Sequence, residues 1–184
     1  IETGARHLLD ARVKHEPTLV SAAPEDRRRR VDFTCRAIDL AVELGARCVS
    51  LWSGLGRDTA SDATLFTRLA EGLEPVMVHA EARGIVLGFE PEPGMVIDTV
   101  ARYQSLCERL GEPDVLGLTI DTGHLECLGE RPAAVGLAPV ATRVVNVHVD
   151  DMLACRHDHL PLGTGDVDFG PLLVSLGSAG YAGG

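Results

Sequence analysis

The chain has 184 residues, a formal net charge of −10 and 45% hydrophobic residues. That length and composition suit one domain with a core of its own and exclude a disordered chain. The acidic balance opposes nucleic-acid binding and docking on anionic lipid, and no apolar run reaches the ~18 residues that a membrane span needs.

In chain order, a short strand is expected just before Glu2, followed by a helix over 25–44 with Val31, Cys35, Ile38 and Val42 at helical spacing and Gly45 as its stop. The four consecutive arginines at 27–30 read as a solvated face of that helix. A buried strand over 47–52 comes next, then a helix over 61–83 carrying Leu65, Leu69, Leu73 and Val76 on one face and ending at Gly84. A strand over 85–89, a helix over 98–110 and a strand over 115–120 follow. A weaker helix over 132–142, a strand over 144–149 and a short helix over 169–176 complete the pattern. Near-continuous apolar runs are what strands buried on both faces require. Strand and helix alternating without interruption mean a parallel α/β fold. An open doubly wound sheet and a (β/α)₈ barrel both fit. No Gly-x-Gly-x-x-Gly follows the first strand, which removes the main support for dinucleotide binding. A full barrel needs about 250 residues, so this length implies a partial barrel, read here as one incomplete domain over 1–184.

Five cysteines, widely spread and without a Cys-x-x-Cys pair, argue against a zinc ribbon or a disulfide framework and fit a reducing cytoplasm. One lysine, Lys14, stands against sixteen arginines.

In parallel α/β folds, functional groups gather beyond the carboxyl ends of the strands. The strand ending at Phe89 delivers Glu90 and Glu92. The strand ending at Ile120 delivers Asp121 and His124. The next carries His148, then Asp150 and Asp151, with His157, Asp158 and His159 in the following loop. Singly, each has an ordinary reading: Glu90 as an ion-pair partner, Asp121 as a helix cap, His148 as a satisfied core histidine. Together, at successive strand ends, they form a mixed oxygen and nitrogen set suited to Mn²⁺, Co²⁺, Zn²⁺ or Mg²⁺.

The segments Gly88-Phe89-Glu90-Pro91, Asp121-Thr122-Gly123-His124, 146–151 (Asn-Val-His-Val-Asp-Asp) and 163–169 (Gly-Thr-Gly-Asp-Val-Asp-Phe) resemble the xylose isomerase-like barrel superfamily of sugar isomerases and epimerases. The resemblance implies that Glu90, Asp121 and His148 hold a divalent ion. Glu90 would also be the base that moves a proton on a sugar or related hydroxy-carbonyl compound through an enediolate. It places His124, Arg156, Trp52 and His159 against the substrate. It also implies that the first βα units and strand eight, which carries the family's fourth ligand, lie outside this stretch. An isolated partial barrel would leave sheet edges open, which favours association with other chains, a homo-oligomer included. Two alternatives share the fold. One is an apurinic endonuclease-type phosphodiesterase, suggested by His157-Asp158-His159. The other is a barrel that binds sugar without turnover.

Overall fold

The computed structural model describes residues 1–183. Four parallel strands form one sheet in the order β1 (Cys48–Leu51), β2 (Val86–Phe89), β3 (Leu116–Asp121) and β4 (Val144–His148). Helices α1 (Pro24–Glu43), α2 (Asp62–Arg83) and α3 (Val100–Arg109) precede the first three strands, and α6 (Phe169–Ser178) lies near the carboxyl end. Between β3 and β4 run two short helices, α4 (Thr122–Cys127) and α5 (Ala133–Leu137), and a 3₁₀ turn over Ala138–Arg143. This is a curled part of a TIM barrel.

The expected elements are present with ends shifted by a few residues, and three points differ. The first strand is reduced to a single parallel bridge from Glu2 to Ser50, backed by Ser50 N–H donating to the Ile1 carbonyl at 2.7 Å. The helix α4 has no run of apolar residues long enough to announce it; the Asp121 cap creates it. The arginine run is not wholly solvated. Arg30 is 1% exposed, donates to the Thr3 carbonyl at 2.8 Å and lies 4.4 Å from the Trp52 ring centre. A helix 20 residues long presents successive residues about 100° apart, so one of four neighbours must turn inward.

The helices cover the outer face of the sheet. Val49, Leu51, Leu87, Phe89, Leu116, Leu118 and Ile120 meet Ile38, Ala41, Leu69, Leu73, Val76, Tyr103 and Leu106, all buried in one cluster. Ser61 caps α2 by accepting from Thr64 N–H, and Gly84 ends it in the left-handed conformation at φ 68°. The inner face is narrow. Ser50 and Thr119 hydroxyls lie 3.1 Å apart across it. The curl brings Glu2, at one edge, to within 3.0 Å of His148 at the other.

Leu73 is fully buried, so Leu73→Ala should cost about 2–5 kcal/mol. Leu44→Ala, at a residue 68% exposed, should stay within about 0.5 kcal/mol. Chemical denaturation of the two variants checks this placement of the core.

Candidate functional site

Three strand ends build the cluster. Glu90 follows β2 directly, and its N–H still donates to the Leu51 carbonyl at 2.8 Å, so the ladder fixes where its side chain begins. Asp121 ends β3 and opens α4. One of its carboxylate oxygens, Oδ1, accepts from Gly123 N–H at 2.9 Å and His124 N–H at 3.1 Å. The cap therefore leaves Oδ2 to face the cluster. A Cβ on Gly123 would meet Asp150 Oδ1 at 2.3 Å and Met152 Cγ at 2.6 Å, so this turn closes only around glycine. A register shift between Leu118 and Thr119 sets Asp121 opposite His148 in the ladder with β4.

One ligand atom from each of Glu90, Asp121 and His148 lies within 4.8 Å of the others. His148 Nδ1 is 3.1 Å from Glu90 Oε1, and its Nε2 is 3.0 Å from Glu2 Oε1. An imidazole with a carboxylate on its far nitrogen is oriented to present the near one to a metal. His124 sits below them, 4% exposed, with both ring nitrogens buried and without a hydrogen-bond partner. Its Nδ1 is 3.8 Å from Glu90 and from Glu92, and its Nε2 is 3.8 Å from Asp121. The rings of His157 and His159 stand 4.9 and 5.9 Å from it. Three further groupings meet the same 4.8 Å limit: His124 with His157 and His159, Glu90 with Glu92 and His124, and Asp121 with Asp150 and His159.

The donors fit a hard or borderline divalent cation. Carboxylates and imidazoles converge with no thiolate among them, and buried ring nitrogens lack any other partner. Protonation tells the same story. Burial and the neighbouring Asp150 push the Asp121 carboxyl up to about 8, and burial and Glu90 push Glu92 up to about 7. Hydrogen bonds to Glu2 and Glu90 lift His148 to about 10, while burial and His157 hold His124 down to about 4. Without a cation, the cluster relieves its negative charge by taking up protons.

Of the residues that the sequence singles out, Glu90, Asp121, His148, His124 and His159 come together. Arg156 does not: its side chain is largely exposed and pairs with Asp158. Trp52 is 7% exposed at the end of β1, packed by Arg30 and, 5.3 Å away, by His15. Glu92, Asp150 and His157 are among the rim residues expected from the sequence, although only Glu90, Asp121 and His148 are assigned there to the ion; Glu2 is not expected in the cluster. Glu92 and Asp150 each lie two residues beyond an expected ligand, and a period of two returns a side chain to the same side in extended backbone. That spacing was the available signal. Glu2 had none, because one bridge leaves no pattern. Asp151 has a different task. It is buried, and its carboxylate accepts from Gly163, Gly165 and Val167 N–H at 2.8–3.1 Å, which shapes the 163–168 loop.

The family model described as xylose isomerase-like TIM barrel matches residues 7–183. A curated protein of Methanocaldococcus jannaschii, "Uncharacterized protein MJ1311", is 28% identical over 200 residues, covering 97% of this chain and 66% of its own length. A crystal structure of a D-tagatose 3-epimerase-like protein superposes with a TM-score of 0.79 at 25% identity, over 91% of this chain and 66% of that one. The structure of an L-ribulose 3-epimerase gives 0.76 at 26% identity, over 90% and 55%. The chain thus spans 55–66% of the length of these relatives.

The upward shifts of Asp121, Glu92 and His148 mean that the folded protein holds these protons more tightly than the unfolded chain. Stability from such groups is full below their unfolded values and is lost as pH rises through the folded ones. His124, shifted downward, acts only below its ordinary value of 6.5. In chelator-treated protein, the melting temperature should therefore fall between pH 6.5 and about 8, and Asp121→Asn should flatten that slope. Thermal melts across this range check it.

Proposed function

The chain belongs to the xylose isomerase-like TIM barrel family, and on that premise we propose that it forms part of a divalent-metal-dependent isomerase or epimerase acting on a sugar or related small hydroxy-carbonyl compound. The observation that carries the reading is the convergence of Glu90, Asp121 and His148 within 4.8 Å at three neighbouring strand ends. Similarity to epimerase structures at 25% and 26% identity supports the reaction class. Residues 1–184 serve in this reading as one domain.

Glu90, Asp121 and His148 would hold the ion, which would polarise a substrate carbonyl and so acidify the adjacent C–H. Glu90 would accept that proton, as a carboxylate held within hydrogen-bond reach of a reacting carbon can. Glu2 keeps His148 turned toward Glu90. His124, neutral at physiological pH, donates to or accepts from a substrate hydroxyl on the floor of the site. His159, next to Asp150, closes the side nearest the 157–159 loop. Burial of Glu90 and Asp121 keeps water from competing for the transferred proton.

The three-imidazole grouping of His124, His157 and His159 favours one second reading, a multi-metal phosphodiesterase on the same fold. The acidic composition weighs against a polyanionic nucleic-acid substrate.

Intact protein with added Mn²⁺ should incorporate solvent deuterium into at least one member of a panel of ketoses and hydroxy-aldehydes. Glu90→Gln should lower that exchange by at least about 10²-fold, the usual worth of a positioned base. Asp121→Ala should lose the bound metal by elemental analysis. Cleavage of an abasic-site duplex without exchange in any sugar would overturn the isomerase reading in favour of the phosphodiesterase.

A further inference from the structure

No two of the five cysteines stand close in sequence, yet the fold brings two of them together. Cys127 is the last residue of α4, three positions after His124. Cys155 lies in the loop between Asp151 and Leu160, two positions before His157. The Cys155 N–H donates to the Cys127 carbonyl at 3.2 Å. With ordinary backbone bond lengths, that contact holds the two Cα atoms no more than about 7 Å apart, within the span of a disulfide. No other two cysteines share a hydrogen bond among the described residues.

The loop is held on several sides. A bridge joins Asp151 and Leu160 at its base, with Leu160 N–H donating to the Asp151 carbonyl at 2.8 Å. Ala154 N–H donates to Asp166 Oδ2 at 3.1 Å, and Arg156 N–H donates to the Leu153 carbonyl at 3.1 Å. The resulting turn sets Cys155 at φ 60°, where glycine or asparagine is the usual occupant. A cysteine is thus fixed against Cys127 in a conformation that side chains disfavour. Cys155 is exposed, and Cys127 is half-buried. Burial, and then the neighbouring Cys155, raise the Cys127 thiol above its ordinary value. One thiol is therefore open to solvent, with a second and less reactive one beside it.

The two cysteines belong to elements that meet at the site. The helix α4 carries His124, and the loop carries His157 and His159, whose rings stand 4.9 and 5.9 Å from the His124 ring.

We propose that Cys127 and Cys155 are a disulfide-forming pair, closed by exchange with a small-molecule disulfide, that ties the 153–159 loop to the end of α4. The Cys155 thiolate attacks one sulfur of the small disulfide, forming a mixed disulfide and releasing one thiolate. The Cys127 sulfur, having lost its proton, then attacks the Cys155 sulfur and releases the second small thiol. Two protein thiols are oxidised and one disulfide is reduced to two thiols, which take the two cysteine protons. Excess small thiol reverses both steps, so the pair stays open in a reducing medium. This pair is independent of the metal and of the isomerase reading.

The test treats chelator-washed intact protein with oxidised glutathione and reads the cysteines by alkylation and peptide mapping. The native protein should lose two alkylatable thiols, recovered as one peptide pair joined through Cys127 and Cys155. Cys35, Cys48 and Cys107 should remain alkylatable. Cys127→Ser should stop at a stable glutathione adduct on Cys155. Cys155→Ser should leave Cys127 free at the glutathione concentration that closes the native pair. A stable adduct on Cys155 of the native protein, with Cys127 still alkylatable, would overturn the pair. So would a mixture of disulfides with no preference for these two cysteines, or no reaction at either.

Discussion

Carboxylates confined to the ends of neighbouring strands are the constraint on which the rest of the site depends. Glu90 and Asp121 are each about nineteen-twentieths buried, and Glu92 and Asp150 press on them from the adjacent turns. Like charges at such range in a poorly hydrated place cannot all remain ionised. They can be relieved by protons, by imidazolium or by a metal ion. The fold supplies the first two in part, through the raised carboxyls and through His148 between Glu2 and Glu90. A divalent ion would replace both at once, and the neutral, unpartnered nitrogens of His124 are then explained as groups waiting for a ligand or a substrate oxygen.

Much of this was legible in the sequence because parallel sheets impose a rule. Apolar runs at 47–52, 85–89, 115–120 and 144–149 mark buried strands, and the residue after each run must sit on the rim. That rule puts Glu90 and Asp121 on the rim; His148 lies within the last run, and the three as ligands of one ion were implied by the resemblance to the barrel family. The legible part ended where contacts are long-range or irregular. Glu2 reaches His148 over 146 positions of sequence and rests on a single bridge. Arg30 looks like one of four solvent-facing arginines until the N-terminal loop folds over Trp52 and encloses it. Arg156 resembles a substrate anchor in the sequence, yet its guanidinium is taken by Asp158 two residues on. Asp121 shows that the ordinary and functional readings of one residue need not compete. One oxygen caps α4 while the other faces the cluster.

The central claim is that His148 and its two carboxylate neighbours bind one divalent ion. Pulsed electron paramagnetic resonance of Mn²⁺ bound to the protein tests it directly, because a coordinated imidazole nitrogen couples to the manganese spin. The account predicts such a coupling in the protein and its loss in His148→Ala. Mn²⁺ bound without any imidazole coupling, or a coupling that survives in His148→Ala, would contradict it.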